Sequence, residues 1–448
     1  MERFVAAVFA VLLLAGPPAR AAEDVVIGAI YPLTGNAAQI GADARAAIDT
    51  VLDIINGAHD PVPMLMGGGG GLDRLGGARL RVVYADHQND PQKARAEAER
   101  LITQDHVVAL IGSYTSATAA TISQAAERYE VPFLSMDNSS PSLHKRGLKW
   151  FFRTSPHDEM FTAAMFDFFD VVGKKTGHPV KTAALFYEDS IFGSDSSVVQ
   201  RKLAAGAKIS VAADIKYRAN SPSLSAEAQR LKAADADVLM PTSYTSDAIL
   251  LMRSLSELGY KPHAVMAQAA GFQEQGFLTA AGPLAEGIFS RSSFAGDAVA
   301  SRPAIAPVMA LFRARANKDL NDNTARQVVA VQVLADAVNR AGSAKPDDIR
   351  RALMATDVPG EQTIMPWKGV RFDATGQNQD ATPSSSRWSA ARITPCSRPP
   401  WRCRNRFGTS ANRVSARVHK GMTTEACNAM FGPCRTTPSR HPSSGLPA

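Results

Sequence analysis

The chain has 448 residues, 45% of them hydrophobic and 20% charged, enough for two or three globular domains with substantial cores. Its formal net charge of +7 comes from the C-terminal stretch, because residues 384–448 carry ten Arg, one Lys and one Glu, leaving residues 1–383 at −3. That balance gives no argument for nucleic-acid binding by the body, and with all four cysteines (Cys396, Cys403, Cys427, Cys434) in the same stretch, the body has to rest on packing rather than disulfides.

Arg3, the apolar run Phe4–Ala15, the breaker Gly16-Pro17-Pro18 and the small-x-small site Ala19-Arg20-Ala21 read as a secretory signal peptide over 1–21. No later apolar run reaches about 18 residues, so the expected mature chain is soluble and exported to the periplasm. Val25–Ile30 then reads as a buried strand, followed by the polar loop Pro32–Asn36 and a helix over Ile40–Ile55 stopped by Gly57. Met64–Gly77, with five consecutive glycines, lacks the Lys-Ser/Thr of a phosphate loop and reads as a flexible surface loop. Leu80–Ala85 is a strand, and Asp90-Pro91 opens a helix through Thr103.

The stretch Leu110–Leu143 reads as one βαβ unit. Val107–Ile111 is its first strand, and Ser116 or Thr118 is the expected cap of the helix that follows. Val131–Ser135 is its second strand, ending in the polar loop Asp137-Asn138-Ser139-Ser140. Both polar loops fall at the carboxyl ends of parallel strands, where open α/β sheets place ligands and helix N-termini favour anions.

A second series follows a crossing at Trp150–Arg153. Helices are predicted over 159–172, 192–205, 224–233 and 247–258, and strands over 182–187, 209–215, 238–241 and 264–268. Glu286–Ser290 reads as an extended crossing back, before helices over 304–316, 324–341 and 346–355 and extended segments at 363–370 and 371–372. Strands alternating with helices at this spacing predict an α/β fold of two doubly wound parallel-sheet lobes. The expected division is 22–153 with 286–370 in lobe I, and 154–285 with 371–383 in lobe II.

From Ser384 the texture shifts to Arg, Ser, Pro, Thr and Cys with no periodicity. Residues 384–448 read as an aberrant basic tail, either disordered or translated out of frame. Thr394–Pro399 can be encoded so that the neighbouring frame gives an apolar strand.

Against this background the residues support a resemblance. VVIGAIYPLTGNAAQIG, YADHQNDPQKARAEAERLI, ALIGSYTSATAATISQAAERYEVPFLSMDNSSPSL, FRTSPHD, FYEDSIFGSDSS and DVLMPTSYTSDAILLMRSLSELGY occur in an order and spacing that resemble periplasmic solute-binding proteins of ABC importers, of the branched-chain amino-acid-binding (Leu/Ile/Val-binding-like) type. The resemblance runs from roughly Val25 to Pro383.

It implies two lobes joined by a three-strand hinge, a small-molecule ligand in the interlobe cleft, and delivery to an ABC importer permease by a monomer without cofactor or metal. It also implies that Ser116 and Ser139 hold a ligand carboxylate, helped by backbone near Tyr114 and Asp137. Phe192 and Tyr244 would supply aromatic walls, and Ile40 would pack the ligand side chain.

The chain departs from the family at Ala269, which stands where amino-acid binders place the acid that pairs the ligand ammonium. An unpaired buried ammonium is costly. An aromatic or aliphatic carboxylate, an amide, or an amino acid held by Asp137 or Asp189 therefore stay open. A hydrolase reading fails because Gly-x-Ser-x-Gly is absent and His87, His106 and His157 lack a His-Glu-x-x-His spacing. A ligand-sensing module of the same fold, serving a membrane receptor, is the alternative.

Overall fold

In a computed structural model, residues 23–268, 270–294, 299 and 301–381 are described. The signal-peptide reading, Ala269 and the basic tail lie outside the described residues. The chain divides into two compact units, the first comprising residues up to Asn138 with Leu143–Ser155 and Gly296–Ala381. The second comprises Ser139–Ser142 and Pro156–Ala295.

The first unit is built on a five-stranded parallel sheet of β1 (Val25–Tyr31), β2 (Leu80–Asp86), β3 (Leu110–Gly112), β4 (Phe133–Ser135) and β5 (Phe151–Arg153), in the order β2-β1-β3-β4-β5. β1 is a near-continuous apolar run buried along its length, as a strand covered on both faces must be.

Helices α2 (Pro91–Thr103) and α3 (Ser116–Tyr129) cover one face, through Ala94, Ala98, Leu101, Ala119, Ile122 and Ala126. Asp90 caps α2, its carboxylate accepting from the Gln92 and Lys93 amides at 2.7 and 3.0 Å, as the Asp-Pro signal implied. α1 (Ala38–Ile55) packs with a later helix, numbered α10 below (Asp322–Ala341), which is buried from Asp322 to Val338. Its Val, Ala and Leu run, broken by Gln332 and Asp336, is buried on all sides, as in an interior helix.

The second unit repeats the design. β6 (Thr182–Glu188), β7 (Ser210–Tyr217), β8 (Val238–Thr242), β9 (Val265–Ala267) and β10 (Ile288–Ser290) pair in parallel in the order β10-β9-β8-β6-β7. Alternation along β6 divides its side chains between two cores. Ala183, Leu185 and Tyr187 join Met165, Phe169 and Val172 of α4 (Asp158–Thr176) and Ala204 of α5 (Ile191–Gly206). Ala184 and Phe186 join Ala228 and Leu231 of α6 (Ser225–Ala234), Leu251 and Leu255 of α7 (Thr245–Glu257) and Phe277 of α8 (Gln275–Ala281).

Three expectations change. The extended segment near 286 is β10, which adds to the second sheet by pairing with β9, so the second unit continues to residue 295 instead of ending at 285. Residues 371–381 group with the first unit, held by Gly376 O accepting from Arg153 N at 2.8 Å and Gln377 Oε1 accepting from Arg153 Nε at 2.6 Å. After α9 (Ile305–Ala316), α10 and α11 (Pro346–Met354), the expected extended segment over 363–370 is extended only at its end, in β12 (Gly369–Arg371). The short antiparallel pair of β11 (Asp357–Pro359) and β12 brackets a turn that buries Ile364, Met365 and Trp367.

The glycine-rich segment is packed. Leu72 is fully buried, and a Cβ on Gly57 would stand 2.2 Å from the Gly69 carbonyl oxygen, so these glycines allow two backbones to touch.

Candidate functional site

In the first sheet β1 lies between β2 and β3, so the direction of winding reverses at β1/β3, and open α/β sheets bind ligands beyond the carboxyl ends at that point. The register brings Ile30, Gly112, Ser135 and Arg153 side by side along this edge. The loop after β3 leads into α3, whose cap is Thr115 rather than Ser116 or Thr118. The Thr115 hydroxyl accepts from Thr118 N at 3.3 Å, because the residue before the first helical turn is the one placed to reach that amide.

Freed from capping, Ser116 is the first residue of α3. It is 1% exposed, and its hydroxyl makes no hydrogen bond among the described residues. Tyr114, one residue before the cap, is buried, as is Ile40 in the first turn of α1.

Asp137 crosses this edge. Its side chain leaves the loop after β4 and reaches back past β3 to Tyr31 at the end of β1, whose hydroxyl donates to Asp137 Oδ2 at 3.1 Å. Gln327 Nε2, from the first turns of α10, donates to the same oxygen at 2.8 Å. Arg326 donates to the Asp137 main-chain oxygen at 3.2 Å, while its guanidinium is paired with the Asp322 carboxylate at 3.1 Å. Asp137 Oδ1 and Gln327 Oε1 are both buried and without a hydrogen-bond partner. Burial pushes the Asp137 carboxyl up to about 6, against the opposing pull of Arg326.

The second unit holds Ser139 in a different setting. Arg291 Nη2, just past β10, donates to the Ser139 hydroxyl at 3.2 Å, and the Ser139 carbonyl accepts from Asp158 N at 2.8 Å. Asp158, fully buried at the start of α4, lies 3.7 Å from the Arg291 guanidinium. It also accepts from Gln268 at 2.9 Å and from Ser196 at 2.5 Å. Arg291 stacks over the Phe161 ring at 3.6 Å. Burial raises the Asp158 carboxyl, with Arg291 and these hydrogen bonds opposing it.

At the carboxyl edge of β6 and β8, Phe192 and the half-buried Tyr244 form a tilted ring pair 5.4 Å apart. Glu188 positions the Phe192 turn by accepting from Ser190 and from Gly193 N at 2.9 Å. A Cβ on Gly193 would stand 2.0 Å from the Glu188 carbonyl oxygen, which is why a glycine follows this aromatic residue. Asp189 is exposed and accepts from Ala219 N at 3.0 Å.

The structure thus places Ser116, Tyr114, Asp137 and Ile40 toward the carboxyl edge of the first unit's sheet, and Ser139, Phe192 and Tyr244 toward that of the second. Sequence reading missed Arg291, Gln327 and Tyr31. For Gln327 a weak signal existed, since Arg326-Gln327 stands in the first turns of a helix buried from Asp322 to Val338, where Gln332 and Asp336 are polar as well. For Arg291, a lone arginine after a three-residue strand, there was none.

Among the described residues no group of His, Cys, Asp and Glu is arranged to hold a metal, and no helix is long and apolar enough to cross a membrane.

Comparisons with known proteins agree with this architecture. A family model described as periplasmic binding protein matches residues 24–383. Leu/Ile/Val-binding protein homolog 8 of Brucella abortus is 27% identical over 380 residues, covering 83% of this chain and 90% of the relative. Homolog 7 of Brucella suis is 26% identical over 400 residues, covering 88% and 96%.

Among solved structures, a leucine-binding protein from Thermotoga maritima aligns with a TM-score of 0.66 at 21% identity, covering 79% of this chain and 92% of that one. An ABC-transporter solute-binding protein from Rhodopseudomonas palustris, solved with 4-hydroxybenzoate, aligns with a TM-score of 0.65 at 18% identity, covering 79% and 90%. With four-fifths of its length inside the family model and two parallel five-stranded sheets, the chain belongs to the periplasmic binding protein family.

Proposed function

We propose that this chain binds a small organic carboxylate outside the cytoplasmic membrane and delivers it to an ABC importer permease, without catalysing a reaction on it. The observation that carries this reading is Ser116. This residue is 1% exposed at the first turn of α3, and its hydroxyl, engaged by no other described residue, is a donor available to an anion beside a helix N-terminus.

In the second unit Ser139 has its hydroxyl held by Arg291 and Asp158, and Phe192 and Tyr244 offer apolar ring surface. Solved relatives were captured with isoleucine and with 4-hydroxybenzoate, two ligands that share a carboxylate.

A thermal-shift screen of the exported chain against amino acids, amides, and aromatic and aliphatic carboxylates tests the reading, since a ligand that binds only the folded chain raises its melting temperature. Stabilisation by at least one carboxylate is expected. Stabilisation by amides alone, or by none of these compounds, would remove it.

A further inference from the structure

The charge arithmetic at the β1/β3 switch point leaves one anion over. Around the Asp137 side chain the described charged groups are Arg326 and Asp322 of α10, and these two pair with each other at 3.1 Å with both side chains 2% exposed. Tyr31, facing from β1, is neutral, and burial together with Asp137 raises its hydroxyl well above its usual range. Asp137 itself has no lysine or arginine side-chain nitrogen within ion-pair distance among the described residues.

Of its two carboxylate oxygens, Oδ2 takes both available donors and Oδ1 takes none. A second bare acceptor, Gln327 Oε1, belongs to the residue hydrogen-bonded to it. A buried carboxylate without a counter-charge is costly unless something positive arrives. The tether from the loop after β4 to the end of β1 holds this carboxylate over the carboxyl end of β3, immediately before the turn that leads to Ser116.

We propose that Asp137, assisted by Gln327, is the acceptor for an ammonium group on the ligand, so that the ligand is an amino acid rather than a plain carboxylate. The inference rests on the carboxylate reading above and deepens it. It also accounts for Ala269: the acid that amino-acid binders place after β9 is absent, and an acid on the first sheet supplies the charge instead. Asp189, the other open candidate, is exposed and already accepts from Ala219 N. The chemistry is a charge-assisted hydrogen bond to a desolvated carboxylate, with Ser116 left to the ligand carboxylate.

The test is calorimetric titration of the full exported chain with matched pairs that differ only in the amino group: leucine against 4-methylpentanoate, and phenylalanine against 3-phenylpropanoate. In at least one pair the amino member is expected to bind at least roughly tenfold more tightly, the scale of removing one partner from a buried charge pair. In Asp137→Asn, which keeps the shape and the Tyr31 contact, that ratio is expected to fall to about one.

A second readout needs no variant. The affinity for the amino member should decline as pH drops through about 6, where Asp137 takes up its proton, and the affinity for the deaminated member should not. Equal or tighter binding of the deaminated compounds, a preference that survives in Asp137→Asn, or a flat pH profile for the amino member each overturns the assignment of Asp137 while leaving the carboxylate reading standing. Binding of neither member of either pair, with other classes also silent in the screen, overturns both.

Discussion

Asp137 and Asp158 are both buried aspartates at the carboxyl edge of a parallel sheet, and both have carboxyls raised by burial. Their surroundings differ. Asp158 faces the Arg291 guanidinium and accepts from Gln268, Ser196 and its own neighbour Ser139, so its charge is spent within the second unit. Asp137 has two donors on one oxygen, none on the other, and a neighbouring arginine already committed to Asp322. A saturated acid of this kind is part of the scaffold, whereas an unsaturated one is set to receive something. Burial alone does not separate the two; the count of partners does.

The comparison can be broken most forcefully at Arg291. Arg291→Met leaves Asp158 buried without its cation, and unfolding in urea should show a loss of about 3–5 kcal/mol. A loss under about 1 kcal/mol would mean that the Asp158 network carries its charge without the arginine.

Asp137→Asn should act in the opposite direction. Burial holds this carboxyl at about 6 against an ordinary 3.8, so the folded chain keeps its proton to higher pH than the unfolded chain does. The stability linked to that proton is present at about pH 4 and is lost as pH rises to about 6. The variant never ionises there, so its stability relative to the parent should climb across that window by up to about 3 kcal/mol and then level off. Parallel pH–stability curves for the two proteins would show that Asp137 is not raised.

Ser116→Ala and Ser139→Ala sharpen the contrast at lower amplitude. Each should weaken ligand binding by about 1–3 kcal/mol in calorimetry, because a buried ligand oxygen loses a partner, directly at Ser116 and through the Arg291 network at Ser139. Only Ser139→Ala should also lower the melting temperature of the ligand-free chain, since its hydroxyl is tied to Arg291 and Asp158 while that of Ser116 is not engaged. Equal melting shifts in the two variants would contradict the division of labour.

The smallest effect belongs to Thr115→Ala, which removes the cap of α3 and should lower stability by about 1 kcal/mol in denaturant titration, with binding following only as far as Ser116 is displaced. If Ser116→Ala proves the more costly of the two for the ligand-free chain, the cap has been misassigned.

Much of the fold was legible because its signals are local. Continuous apolar runs such as Val25–Tyr31, the Asp90-Pro91 helix start and the strand–helix spacing marked elements whose residues lie close together in the chain. Errors came where a short element depends on its neighbour. Ile288–Ser290 looked like a linker because a three-residue segment with two apolar side chains says nothing of which strand it joins. The glycine-rich segment read as loose because the partner backbones that its glycines admit, such as Gly57 against Gly69, cannot be inferred from composition. Polar loops at strand ends marked the edge, and the family resemblance singled out Ser116, Asp137 and Ser139 along it, but the capping role of Thr115 required the geometry of the first turn.

By itself, the amino-acid sequence determined the two parallel-sheet units and the edge where polar side chains gather, since hydrophobic period and turn residues act over a few positions. Only the tertiary structure decided which of those side chains are already satisfied. Tyr31 and Gln327 stand 106 and 190 residues from Asp137, and Gln268 stands 110 from Asp158. Hydrogen-bond satisfaction is a property of groups brought together by folding. The same residue type therefore became a neutralised brace in one unit and an open acceptor in the other.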